Sequence, residues 1–329
     1  MPRVSIIIPT FNGLAHLQRC LPAIRRYALP DTEVLIIDDA STDDTVLWVR
    51  QHFPEMNYFR SETNQGFCAG VNHGLARARG DIIEILNNDT EVYPGWMQSV
   101  LPHFADPNVG SVAPLVLRMD DPTIIDGAGI AYHICGWATD RGYGQTLNEE
   151  YLKTCEVFGS SASGGFYRRS ALEKTGGMLP EYEAYLEDVD LAFRLRWAGY
   201  RCIYEPKSRL LHKRSASYSP VSDRVIRLLS RNEEFLFWMN LSRASLVRGL
   251  LPHLGFVAVR TLRKILSGRL LPYLAGKYQA LGSWQTILRQ RQHITKVASD
   301  RKAPDTLWTA NDRNVFVAGL EFLRNRQCA

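Results

Sequence analysis

Val4-Ser5-Ile6-Ile7-Ile8 runs straight into Pro9-Thr10-Phe11-Asn12-Gly13, and that juncture decides the fold. A short run dominated by β-branched side chains, stopped by turn formers, reads as a strand buried on both faces. Leu14, Leu17, Leu21 and Ile24 then follow at helical spacing. The same alternation repeats outward. Val34-Leu35-Ile36-Ile37 is a second strand, ending at Asp38-Asp39-Ala40-Ser41. Residues 45–52 read as a helix, 57–60 as a short strand, 70–79 as a helix, and 82–86 as a strand ending at Asn87-Asn88-Asp89. Apolar strands alternating with helices predict an α/β fold with a mostly parallel central sheet flanked by helices. Ligands of such sheets bind beyond the carboxyl ends of the strands, where three polar clusters stand here.

The 329 residues are enough for one large or two ordinary domains. With 45% hydrophobic and 22% charged residues, the chain is neither disordered, collagen-like nor a disulfide-dense miniature. Six cysteines without a C-x-x-C pair or zinc-finger spacing read as reduced thiols. The first apolar run is too short for a signal-peptide core, and no run of about 18 uncharged apolar residues suggests a transmembrane helix. A cytoplasmic protein is expected. The formal net charge of +5 hides two unlike parts. Residues 1–220 hold 21 Lys/Arg against 27 Asp/Glu, and residues 221–303 hold 15 against 4. The predicted division is a domain at 1–220 and a basic helical extension at 221–329.

Four clusters carry chemistry. Asp89, with Asn87 two residues earlier, suits a hard divalent cation, although an Asn/Asp turn would also close the strand. Four carboxylates lie between Asp38 and Asp44; helix capping accounts for one, leaving Asp38 or Asp39 for a base or ribose. The Gly-containing stretch from Asn64 to Asn72 precedes a helix, where backbone N–H groups suit a ribose-phosphate or merely a tight turn. The acidic segment with Glu181, Glu183, Glu187, Asp188 and Asp190 offers either a helix-start carboxylate or a general base. His212 closes a partly apolar run, and a lone His there is more often structural or solvated than functional.

Taken in order, these motifs resemble the inverting nucleotide-sugar glycosyltransferases of family 2, with the GT-A fold. The subgroup is the one containing bacterial rhamnosyltransferases of surface-polysaccharide assembly. The resemblance runs from Val4 to Asn12, through Ile37 to Asp43, Asn64 to Asn72 and Leu86 to Thr90. It resumes at Ser163 to Arg169, Gly176-Gly177 and Glu187 to Leu191, and ends near His212. It implies a nucleotide-sugar half at about 1–105 and an acceptor half at about 106–220. Pro9, Thr10, Phe11, Asn12, Asp39, Asn64, Gly66, Phe67, Asn72, Asn87 and Asn88 would form the nucleotide-sugar site, with Phe11 close to the base, Asp39 bonded to it, and Asn72 on the ribose or diphosphate. Gly164 and Gly165 would let backbone approach the sugar, and Arg168 would be a diphosphate or structural cation. Asp89 matches the second Asp of the family's D-x-D motif, whose first position is Asn87 here. Asp89, Asn87 and His212 would hold a divalent cation, Mg²⁺ or Mn²⁺. Asp188 matches the catalytic base, and Glu187 would position it or bind acceptor.

The resemblance implies transfer of a sugar, with rhamnose a candidate, from a dTDP- or UDP-linked donor. The acceptor would be a glycan on a polyprenyl diphosphate. A non-catalytic nucleotide-sugar-binding protein of the same fold is the alternative, which would not need the Glu187-Asp188 pair. A nucleotidyltransferase would carry a Gly-rich basic loop after the first strand, unlike residues 9–13. In the extension, Pro252, Gly255, Gly268 and Pro272 are expected to break the pattern into short helices. Its mixture of Leu, Val, Arg and Lys suits an anionic membrane surface on the cytoplasmic face of the inner membrane, or a packed helical pair with a solvated face. No nucleic-acid-binding motif is present. The sequence leaves the oligomeric state open.

Overall fold

The computed structural model describes residues 4–213 and 222–298, so the division expected at 220 lies outside the described residues. The described residues form two compact units, 4–131 with 140–213 and 132–139 with 222–298. The short segment 132–139, assigned by sequence to the first domain, belongs with the helical unit.

The first unit begins with β1 (Val4–Thr10), α1 (Leu14–Tyr27), β2 (Glu33–Asp38), α2 (Thr45–His52), β3 (Asn57–Arg60), α3 (Phe67–Leu75) and β4 (Ile82–Leu86). β5 (Thr90–Val92), α4 (Trp96–Val100), β6 (Val109–Arg118) and β7 (Ile125–Gly127) follow. β8 (Ile130–Tyr132) and β9 (Ala138–Asp140) form a separate ribbon, whose residues 132 and 138–139 fall in the second unit. β10 (Cys155–Val157), β11 (Gly164–Arg168), α5 (Arg169–Thr175), α6 (Glu187–Trp197) and β12 (Arg201–His212) complete it.

The main sheet has the order β10-β12-β6-β11-β4-β1-β2-β3, with β5 on β12 and β7 on β6. β3, β2, β1 and β4 are parallel, as the alternating texture predicts. Beyond β4 the sheet is mixed, because β11 enters antiparallel to both β4 and β6. Ile6 and Ile8 pack with Leu17, Leu21 and Ile24 of α1 in one core. Ile7 points to the opposite face, so close to α3 that a side chain at Gly74 would overlap it. Thr10 pairs with Asp38, and Gly164 opposes Leu86. The ends of β1, β2 and β4 and the start of β11 therefore share one edge.

The second unit contains α7 (Asp223–Asn240), α8 (Arg243–Leu266), α9 (Leu270–Gly282) and α10 (Trp284–Val297). α8 is not broken at Pro252 or Gly255, contrary to expectation. Pro252 lies on an exposed stretch where solvent can satisfy the carbonyl it frees. Gly268, with φ +69°, does end α8. Charged groups join the helices inside: Lys277 Nζ lies 2.7 Å from Glu234 Oε1, and Arg260 pairs with Glu233. His253 stacks on Phe237 at 3.8 Å, and its Nδ1 lies 2.8 Å from the Cys135 carbonyl.

Candidate active site

Three loops at the shared edge are tied together by polar side chains. Asn88 Nδ2 donates to Thr10 Oγ1 at 2.8 Å, joining β4 to β1. Gly13 must lack a side chain there, since a Cβ would stand 2.3 Å from Thr10 Oγ1. Asn12 is left-handed (φ 48°), and its Oδ1 accepts from the Thr42 N–H at 2.7 Å. Asp38 accepts from the Ser41 N–H at 3.0 Å and from Tyr58 Oη at 2.7 Å. Asp39 accepts from the Gln65 N–H at 2.8 Å and the Gly66 N–H at 2.7 Å, one on each oxygen. The Asp pair at the end of β2 thus shapes backbone first. Before α2, Asp43 Oδ1 accepts from the Thr45 N–H at 3.1 Å, while the N-cap residue Asp44 makes no side-chain cap bond.

Several expected ligand contacts are engaged elsewhere. Asn72 donates to the Met178 carbonyl at 2.7 Å and accepts from its N–H at 2.9 Å, so both amide atoms clamp the backbone of one residue. Gly177 makes room for that clamp, as a Cβ there would lie 2.2 Å from Asn72 Oδ1. Arg168 donates to the carbonyls of Phe104, Asp106 and Val109, which is the structural side of its two expected roles. Gly164 and Gly165 are glycines because of packing: a Cβ would meet Leu210 at 2.4 Å in one case and Ser160 Oγ at 2.5 Å in the other. Phe11 is 44% exposed at the rim, and Asn64 is exposed. Gly66 (φ +89°) turns the chain into α3, whose Cys68 N–H donates to the Glu183 carbonyl at 3.4 Å. Pro9 and Phe67 are half-buried beside these loops.

Glu183, Tyr185 and Leu186 are all left-handed without being glycine, with φ of 60°, 70° and 68°. Each costs on the order of 1 kcal/mol or more, and such strain clusters at functional sites. It delivers Glu187 and Asp188 to the first turn of α6. Asp188 accepts from the Val189 N–H at 2.8 Å and the Ala162 N–H at 3.2 Å. Burial raises its pKa, and these N–H groups, with the Ser161 hydroxyl, oppose the rise. Glu187 is buried, and its Oε2 has no hydrogen-bond partner. Burial, and then the Asp188 charge, push its carboxyl well above the usual range. The two carboxyls therefore differ in support: burial pushes both up, but Asp188 is braced by two N–H groups while Glu187 Oε2 has no partner. Asp190 is separate, bound to Arg194 at 2.7 Å inside the core.

At the other side, His212 Nε2 lies 3.2 Å from Asp89 Oδ1. Its Nδ1 lies 2.8 Å from Asp126 Oδ2, and Asn87 Nδ2 stands 3.5 Å from Nε2. Burial disfavours the imidazolium, but the bonds to Asp126 and Asp89 outweigh it and raise the His212 pKa to about 9. Asp89 is lowered despite its burial, chiefly by His212. Asp126 was missed by sequence reasoning; a single acid within Ile124-Ile125-Asp126-Gly127 was its only signal. Among the described residues, no three acidic, histidine or cysteine side chains form a complete metal cage.

The arrangement is one carboxyl braced by backbone N–H groups, one buried neighbour with an unpartnered oxygen, and an Asp–His pair at a strand edge. Residues 5–176 match the family model described as glycosyl transferase family 2. The chain belongs to that family. It is a glycosyltransferase. It is 28% identical over 237 residues to the N-acetylglucosaminyl-diphospho-decaprenol L-rhamnosyltransferase of Mycobacterium tuberculosis, covering 65% of this chain and 77% of that protein. It is 30% identical over 105 residues to the GalNAc(5)-diNAcBac-PP-undecaprenol beta-1,3-glucosyltransferase of Campylobacter jejuni, covering 31% of this chain and 34% of that protein. Among solved structures, GalNAc-T7 with UDP, GalNAc and Mn²⁺ superposes with a TM-score of 0.57 at 15% identity, over 73% of this chain and 50% of that one. The mannosyltransferase PcManGT from Pyrobaculum calidifontis, with GDP-Man and Mn²⁺, gives 0.55 at 17% identity, over 85% of this chain and 87% of that one. Both carry the transferase's fold. Among the described residues, no helix is long and apolar enough to cross a membrane.

Proposed function

We propose that this glycosyltransferase is an inverting enzyme that uses Asp188 as its base. The observation carrying this reading is the unequal pair at the start of α6. An inverting transfer needs one carboxylate to take the acceptor hydroxyl's proton as its oxygen attacks the anomeric carbon opposite the leaving nucleoside diphosphate. Asp188, braced by two backbone N–H groups that favour its anion, suits that task. Glu187, protonated beside it, cannot compete for the proton and keeps the local charge at one.

Asp89 and Asn87 after β4 and His212 at the end of β12 offer donors for a divalent ion, whose binding would displace the proton that His212 Nε2 holds against Asp89. The carboxylate of Asp126 can hold the N–H of His212 Nδ1, which would turn Nε2 toward Asp89, the outer-shell support common to metal-binding histidines. Asp89, His212 and Asn87 would hold the ion, with diphosphate oxygens and water as its other ligands. When bound, Mg²⁺ or Mn²⁺ would offset the charge growing on the leaving diphosphate. The loops at 10–12, 39–43 and 64–67 line the same strand edge and form the nucleotide pocket, Asp39 shaping its wall. The donor is a dTDP- or UDP-sugar, and rhamnose is the first candidate because of the mycobacterial relative. That relative and the Campylobacter one both act on polyprenyl-diphosphate glycans by name, which supports a lipid-linked acceptor and a reaction at the cytoplasmic face of the membrane.

The test is thermal unfolding of the protein against a panel of nucleotide sugars, with and without Mn²⁺. At 100 times its dissociation constant, a true donor adds about 2.7 kcal/mol of stability. A rise in Tm with dTDP-rhamnose or a UDP-sugar that grows with Mn²⁺ is expected. No stabilisation by any nucleotide sugar would refute the reading.

A further inference from the structure

Of the 18 large hydrophobic side chains exposed among the described residues, 14 lie between residues 247 and 288. They are ordered. On α8, Val247, Leu251, Leu254, Leu262 and Ile265 are all exposed and recur at steps of three or four residues, or their sums, forming one stripe. On α9, Leu271, Leu274, Tyr278 and Leu281 form another. A water-exposed helix normally turns such a stripe inward. Here the inward faces are already filled, by Gly249 and His253 on α8 and by Tyr273, Gly276 and Ala280 on α9. Leu251 and Leu271 are 79% and 80% exposed. An apolar face of this extent marks an interaction site.

Charge selects the partner. Residues 243–298 contain ten Lys and Arg and not one Asp or Glu. Arg243 and Arg248 are exposed on α8, and Arg289 and Lys296 on α10. Arg260, Lys277 and Arg269 are paired with acids of α7, so a second copy would set the remaining exposed cations against one another, which like-charge repulsion disfavours. Apolar side chains interleaved with cations and free of acids match an anionic bilayer, whose headgroups attract the cations while the acyl boundary takes the Leu stripe. We infer that the outward stripes of α8 and α9 seat this chain on an anionic lipid surface, lying in the interface without crossing it. This extends the reading of a lipid-linked acceptor, but it rests on no feature of the donor site.

The test is flotation of the full chain with phosphatidylcholine vesicles, with and without about one-third phosphatidylglycerol. The comparison variant is Leu251→Glu with Leu271→Glu, which touches neither core nor catalytic loops. The wild-type chain is expected to float with anionic vesicles, and the variant to bind at least roughly tenfold more weakly with an unchanged Tm. Arg248→Glu with Arg289→Glu should weaken binding most at low salt. Transfer to a soluble acceptor analogue should be unchanged in every variant, which separates failure here from failure of the catalytic reading. A wild-type chain that stays soluble with anionic vesicles, or a Leu251→Glu/Leu271→Glu variant that floats equally well, would overturn the inference. So would a variant whose only change is from dimer to monomer in sedimentation, because the face would then belong to a second copy.

Discussion

Glu84 is the sharpest physical probe of the sheet that carries the site. It lies on β4, three residues before Asn87, and is fully buried. One carboxyl oxygen accepts from Trp96 Nε1 at 3.0 Å, and the other has no partner. Burial raises its pKa from the usual 4.5 to about 8, against a small opposing effect of Trp96. The folded state therefore keeps the proton where the unfolded chain releases it. Stability is full below the ordinary Glu value and falls as pH rises towards 8, because there the unfolded state binds fewer protons. At 1.36 kcal/mol per unit of pKa difference, the loss is about 3 kcal/mol by pH 7 and about 5 kcal/mol above pH 8. Glu84→Gln copies the protonated acid: its amide oxygen can still accept from Trp96, and nothing ionises. The variant should match the wild type near pH 4.5 and exceed it progressively above. Urea unfolding of both proteins at pH 5, 7 and 9 measures this. Parallel stability curves across that range would refute the claim that Glu84 is held neutral.

Glu187→Gln should retain most transfer activity at pH 7, since it keeps the neutral form; a pH–rate profile is the check, and loss of activity at neutral pH would mean that Glu187 works as an anion. Asp126→Asn replaces the carboxylate on His212 Nδ1 and should weaken Mn²⁺ affinity by about 10–100-fold, read by titration calorimetry in the presence of nucleoside diphosphate. Unchanged Mn²⁺ affinity would leave Asp126 a purely structural partner.

The shared strand edge was legible because it is local: three apolar runs stop at polar residues, and parallel strands place their ends together. His212 and Asp89 could be named from the resemblance, although 123 residues of sequence separate them and only the pairing of β12 with β5 sets them 3.2 Å apart. What escaped depends on partners far along the chain. The resemblance puts Asn72 on the ribose or diphosphate, but its amide clamps the backbone of a residue 106 positions away. Arg168 reads as a cation in a glycine-rich motif, yet three carbonyls from around α4 and β6 claim it. Gly164 and Gly165 look like room for a ligand and are room for Leu210 and Ser160. The reversal of β11 was invisible because an apolar run has the same texture in either direction.

The claim on which the account turns is that Asp188 removes the acceptor's proton while other residues hold the donor. Asp188→Asn keeps the shape and the Ala162 contact available to its amide oxygen, but cannot take a proton. Single-turnover transfer measured alongside donor affinity separates the two functions. The account predicts transfer reduced by at least about 100-fold with the donor dissociation constant within a few-fold of wild type. Transfer at near wild-type rate would contradict it.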